Sequence, residues 1–213
     1  MTWIVGTLAI IPWFQSPVVI DQIAIVVGKH AVKTSDLLRD LRVTEFLNNE
    51  PPDMGLAARR ASAQRLIDQE LIRVDFAAAG NTGHMETEAW ALFDQLMRDR
   101  FKGSEAQLLA ELQRRSLTKE QLLAQLQWQL VVLRFIDERF RPGVLITDDD
   151  VRAYYEQHAA DLKRQDSTLT SLDAATPKIK ELLEGEQINR DFEKWLDDAR
   201  KAAPIDYKLG ELK

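Results

Sequence analysis

VVIDQIAIVVGKHAVKTSDLLRDLR, residues 18–42, is the stretch on which the reading of the fold turns. Val18–Val27 is short and dense in β-branched residues, which predicts a buried strand rather than a helix. Gly28-Lys29 reads as a tight turn, and His30-Ala31-Val32-Lys33 as the return strand of a hairpin. Thr34-Ser35-Asp36 supplies a cap, so a helix is expected from about Ser35 to Asn48. At the far end, Pro204–Leu209 (PIDYKL) alternates apolar and polar residues, again a strand signal. Two lone terminal strands need a partner, and each is the other's most direct one.

Between them the pattern is helical. Pro51-Pro52 ends the first helix, and Met54–Ala79 keeps Leu56, Ala63, Leu66, Ile67, Leu71, Val74 and Ala78 on helical spacing up to a stop at Gly80-Asn81. Glu86–Phe101 places Ala89, Leu92, Phe93, Leu96 and Met97 on one side. Ser104 with Gln107, and Thr118 with Gln121, are capping boxes that open a short helix to about Arg115 and a long one to about Arg141. The long helix is apolar around most of its circumference, which predicts a central position. Thr147, followed by Asp148, Asp149 and Asp150, caps a helix to about Leu162. Lys163–Ala175 has no periodicity and reads as a linker. Thr176 as cap and Pro177 at the first helical position restart a helix to about Ala202. The fold class expected is mainly α, a multi-helix core with a small β element built from the N-terminal hairpin and the C-terminal strand.

The 213 residues are 45% hydrophobic and 29% charged, the profile of a folded chain with a sizeable core. A net charge of −6 argues against a nucleic-acid partner, and the absence of cysteine excludes disulfides, thiolate metal sites and Cys nucleophiles. Residues 1–16 stand apart: no side chain is charged, and Trp3–Phe14 is an apolar run. It is short of the about 20 residues a spanning helix needs and suits the apolar region of an export signal. No Lys or Arg precedes it, and Phe14-Gln15-Ser16 is a poor cleavage site. The alternative is a native apolar segment packed on the body.

Catalytic signatures are missing. His30, His84 and His158 fall in three different elements with no metal-ligand spacing. Asp148-Asp149-Asp150 reads as a helix cap, and Arg59-Arg60 and Arg114-Arg115 as solvated faces. Phosphate-binding Gly-rich loops, G-x-S-x-G and H-E-x-x-H do not occur. No catalytic, cofactor-binding or metal-binding residue is expected. The aromatic residues carry more information. Trp90, Phe93 and Phe101 lie in one helix, and Trp128, Phe135 and Phe140 in another. They read either as ordinary core or, in part, as the lining of a groove for extended peptide.

Four stretches carry a family resemblance. Residues 18–42 resemble the opening strand, turn and first helix of the SurA-like periplasmic chaperones, and AQRLIDQELIRVDFAAAGN (63–81) resembles their second helix. TKEQLLAQLQWQLVVLRFIDERFRPGVLITDDDVRAYYEQH (118–158) is similar to the family's long helix, break and Thr-capped helix. INRDFEKWLDDARKAAPIDYKL (188–209) is similar to its closing helix and strand. The order is the family's, over residues 17–162 and 177–209. One departure is informative: these chaperones usually carry one or two parvulin prolyl isomerase domains where this chain has only residues 163–175.

The resemblance implies a chaperone core of residues 17–162, a linker 163–175 at the insertion point, and residues 176–213 completing the same domain. It implies ATP-independent holding of unfolded or extended polypeptides, such as outer-membrane protein precursors, in the periplasm, without cofactor and without isomerase activity. Trp90, Met97, Phe101 and Trp128 are the residues expected to touch such clients. Trp90 and Phe101 sit at the edge of their helix's apolar stripe, and the thioether of Met97 adapts to varied side chains. The alternatives are a non-catalytic assembly protein that forms a homodimer through its helices and termini, and a prolyl isomerase by family name alone.

Overall fold

The computed structural model describes residues 21–80 and 85–213; the N-terminal apolar segment, Asn81 and His84 lie outside them. The elements are β1 (Ile23–Val27), β2 (His30–Lys33), α1 (Thr34–Asn48), α2 (Leu56–Ala78), α3 (Glu86–Phe101), α4 (Glu105–Arg114), α5 (Lys119–Phe140), α6 (Asp148–Gln165), α7 (Leu172–Ala202) and β3 (Ile205–Tyr207). Single 3-10 turns follow α5 at Arg141–Gly143 and β3 at Gly210–Leu212. The chain is thus mainly α with one small antiparallel sheet, ordered β2-β1-β3. No described helix is long and apolar enough to cross a membrane.

β1 is the centre of that sheet. It pairs with β2 through a turn whose Gly28, at φ 59°, occupies the left-handed first position a two-residue hairpin favours. On its other side it pairs with β3, Ile25 opposite Tyr207 and Val27 opposite Ile205. The expected union of the two chain ends therefore holds. Further bonds reinforce it, from the Gly28 amide to the Pro204 carbonyl at 2.9 Å and from the Lys208 amide to the Ala24 carbonyl at 2.9 Å. Within the described residues the strand starts at Ile23. Asp21 and Gln22 instead anchor the start of α1, where Asp21 accepts from the Ser35 amide at 3.1 Å and the Gln22 carbonyl accepts from the Thr34 amide at 2.8 Å.

Among the described residues, four apolar clusters hold the helices. One joins the sheet to α1 and α2 (Ile25, Val27, Leu37, Ile67) and includes Leu212 of the final turn. A second gathers Phe46 of α1, Phe93 of α3, Leu108 and Leu112 of α4, and Leu122 of α5. A third joins Ile72 and Phe76 of α2 to Val131 and Phe135 of α5, with Phe192 and Trp195 of α7 against them. The fourth belongs to α6 and the first part of α7 (Val151, Leu162, Ala175, Ile179). The central position of α5 holds, since it touches α1, α2, α3 and α7. Its circumference is not all covered, for Leu133 is 63% exposed.

Two expectations need correction. The non-helical stretch between α6 and α7 is residues 166–171, shorter than the expected linker 163–175. Ser171, not Thr176, caps α7: its hydroxyl accepts from the Ala174 amide at 3.2 Å. Pro177 lies inside the helix, forgoing one intrahelical bond in the second turn. Burial of Ala175 and of Leu172 against α6 outweighs that loss. The second correction concerns docking. The closing helix is expected on the first two helices; besides α6, α7 packs on α2 as expected, but its other partner is α5 rather than α1, because its aromatic residues match Phe76 and Phe135.

Leu212 is 4% exposed although it is the penultimate residue, and it seats the C-terminal turn against α2. Leu212→Ala should lower the unfolding free energy by about 2–4 kcal/mol, read as a lower urea midpoint at an unchanged slope. An unchanged midpoint would show that the terminal turn does not support the sheet.

Candidate functional site

Of the residues expected to touch clients, Trp90, Met97 and Phe101 share α3, while Trp128 faces a different part of the molecule. Ala89 and Phe93 point α3 into the second cluster, so Trp90, one position from Ala89, falls at its edge and is 40% exposed. Its ring meets Phe93 edge-on at 5.5 Å, and the Lys119 ammonium lies 5.0 Å from its centre. Met97 and Phe101 are half-buried against the cluster. Phe101 is stacked on Phe46 at 6.3 Å, and the Arg100 guanidinium lies over both rings. Arg100 also donates to the Phe46 carbonyl at 2.7 Å, closing the end of α1. Burial, and then the neighbouring Arg115, push its pKa below the ordinary guanidinium value.

Trp128 lies on the other side of α5 under the Arg73 guanidinium, 4.8 Å from its ring centre. It forms the aromatic end of a cleft of about 350 Å³ between α1, α2 and α5, otherwise lined chiefly by polar residues such as Asp40, Gln69 and Gln125. Asp40 is buried and held by Arg65 at 2.7 Å.

An open apolar cleft involves none of these four residues. It measures about 520 Å³ and lies between the second half of α2, the end of α7 and the β1–β2 turn. Leu71, Val74 and Ala78 form one wall, Trp195, Ala199 and Ala202 the other, and Val27 and Pro204 the end by the sheet. The cleft exists because both helices carry alanine where larger side chains would meet. Val74, on the apolar stripe of α2, is left 53% exposed. Charge is confined to the rim: Lys29 and His30 on the turn, and Asp75, which pairs with Arg139 at 2.8 Å. His30 Nδ1 lies 3.2 Å from the buried carboxylate of Glu70, which also accepts from Arg73 at 2.9 Å. The sequence puts Val74 on the apolar helical spacing of α2, but periodicity identifies an apolar face without saying whether a partner covers it. The one available signal was the run of alanines at 77–79 and again at 202–203.

Among the described residues no group of three or more His, Asp or Glu could hold a metal. The aspartates at the start of α6 are engaged locally: Asp150 with Thr147, Asp149 with Arg152 at 2.8 Å, and Asp148 with Lys180 at 3.2 Å. The Thr147 bonds hold the Asp150 carboxyl below its usual pKa. His158 lies against Tyr154, ring centres 4.4 Å apart.

These placements predict unequal costs on α3. Phe101→Ala should destabilise the protein by about 2–3 kcal/mol and Trp90→Ala by less than about 1 kcal/mol in urea unfolding. Equal costs would mean that Trp90 is as much a part of the core as Phe101.

No protein-family model matches the sequence, and no curated protein matches it significantly. The fold does match a solved structure, from a description of the virulence factor PEB4 and the periplasmic protein Cj1289 as two structurally related SurA-like chaperones of the human pathogen Campylobacter jejuni. The TM-score is 0.55 at 12% sequence identity, over 89% of this chain and 100% of that one. The architecture of this chain is that of the SurA-like chaperones.

Proposed function

We propose that this protein is an ATP-independent holding chaperone that binds unfolded or extended polypeptides. The observation that carries the reading is the open apolar cleft of about 520 Å³ between α2 and α7, on a scaffold like that of SurA-like chaperones. Its apolar walls, with Ala78, Ala199 and Ala202 leaving room, accept a large apolar side chain of a client, while the rim charges stay in water. Burying one such side chain is worth about 1.5–3 kcal/mol, and the ordering of an extended chain offsets part of it. Binding of this kind is reversible, so release needs no nucleotide.

The finer assignment follows the resemblance. Clients are outer-membrane protein precursors, whose strands present alternate apolar and aromatic side chains, and the location is the periplasm. Residues 17–162 and 176–213 act as one chaperone domain. Trp90, exposed on α3, and Trp128, at the end of the polar cleft, are further contact points, with Met97 and Phe101 supporting Trp90 from beneath. The stretch between α6 and α7, where relatives carry a parvulin domain, is too short for one, so the chain is read as a chaperone without isomerase activity.

The test is aggregation of a urea-unfolded outer-membrane protein on dilution, followed by light scattering. The parent chain should delay it. Val74→Glu puts a charge in the cleft at an exposed position; it should keep the circular dichroism and melting curve of the parent and lose most of the protection. A parent without effect, or a folded Val74→Glu variant that protects equally well, would overturn the reading. In a proline-peptide assay the parent should not accelerate isomerisation.

A further inference from the structure

α6 and the first part of α7 form a helical hairpin with an apolar core of its own, separate from the body. Val151 and Leu162 of α6 and Ala175 and Ile179 of α7 are its buried residues, with Tyr154, Tyr155 and Leu183 packed around them. α6 packs chiefly on α7. The second part of α7 belongs to the body, where Phe192 and Trp195 join Phe76 and Phe135. One 31-residue helix thus serves two cores in turn.

Gly185 stands between them, just beyond Leu183 and before Ile188. Glycine is the most helix-weakening residue after proline, and nothing local calls for it. A Cβ at Gly185 would meet no atom within 4 Å, and Gly185 is not among the glycines with positive φ. Neither close packing nor a special backbone angle explains the residue. What it does provide is a weak point in the helix where the two cores meet.

The other connection between hairpin and body is equally lightly held. Arg141–Gly143 forms a single 3-10 turn, a Cβ at Gly143 would again meet nothing, and Leu145 is 82% exposed. The ion pair across the junction, Arg141 with Glu184, is long at 3.8 Å and solvent-exposed. On the body side of this junction a groove of about 410 Å³ is lined by Leu133, Ile136 and Ile188 together with the charged Arg134, Asp137 and Arg141.

We propose that Gly185 is a hinge about which α6 and the first part of α7 swing as one rigid arm. That the swing regulates access of extended clients to the body rests on the chaperone reading; the swing itself does not. The chain has no native cysteine, so spin labels can be placed cleanly at Ser167→Cys on the arm and Ala61→Cys on α2. Pulsed electron–electron distance measurements on the free protein should give a broad distribution, at least twice the width of a body pair at Ala61→Cys and Gln113→Cys. Adding Gly185→Ala should narrow the arm distribution towards that of the body pair while leaving the body pair unchanged. An arm distribution as narrow as the body pair, or one whose width Gly185→Ala leaves unaltered, would overturn the hinge. No client is present, so failure of the chaperone reading cannot be mistaken for failure of the hinge.

Discussion

The architecture depends on one pairing, that of β1 with β3. A strand of five residues flanked on one side by a short hairpin partner has little stability alone. β3 completes the sheet, and the Gly28 to Pro204 bond ties the hairpin turn to the entry of that strand. The constraint acts at long range. Because the last strand must return to the first, α7 has to end beside the β1–β2 turn, and its path then runs over α2 and α5. The Arg200 guanidinium fixes that path, reaching Asp68 of α2 at 2.7 Å. The Asp68 bond also raises the pKa of Arg200 above its ordinary value, so the pair stays charged wherever the carboxylate is ionised.

Where large side chains meet under this constraint, the interfaces close. Phe46, Phe93, Leu108 and Leu122 fill the space between α1, α3, α4 and α5. Where α2 and α7 meet near the sheet, Ala78, Ala199 and Ala202 are among the lining residues and the space stays open. The sheet holds the two helices in register, so they cannot collapse to close the gap, which is the usual route by which an under-packed interface recovers stability. Closure of the chain and openness of the cleft are therefore two consequences of one arrangement.

The hairpin of α6 and α7 is outside that constraint. Its core is made of its own residues, so its position relative to the body is set by α7 and by the turn after α5. An independent core lets the chain length between α6 and α7 vary without disturbing the sheet.

How far the sequence speaks differs from element to element. Caps are local chemistry: Thr118 with Gln121 forms the expected box and Thr147 caps α6 as expected, with Asp150 completing a box, whereas Ser104 caps α4 by accepting from the Gln107 amide without the full box expected there. The terminal strands announce themselves by β-branched density and alternation, and their pairing follows from the lack of other strands. Pro177 misleads because a proline marks a helix start only if nothing before it gains by being helical. Here Leu172 and Ala175 gain by packing on α6. The candidate site was least legible. Periodicity puts Val74 and Phe93 on equivalent apolar faces, yet Phe93 is 1% exposed and Val74 is 53% exposed. The sequence by itself determined most of the elements and the caps that open α5 and α6, because those depend on neighbours along the chain. The tertiary structure alone decided which apolar faces are covered and where the cleft opens, because coverage depends on which helix the β1–β3 pairing brings alongside.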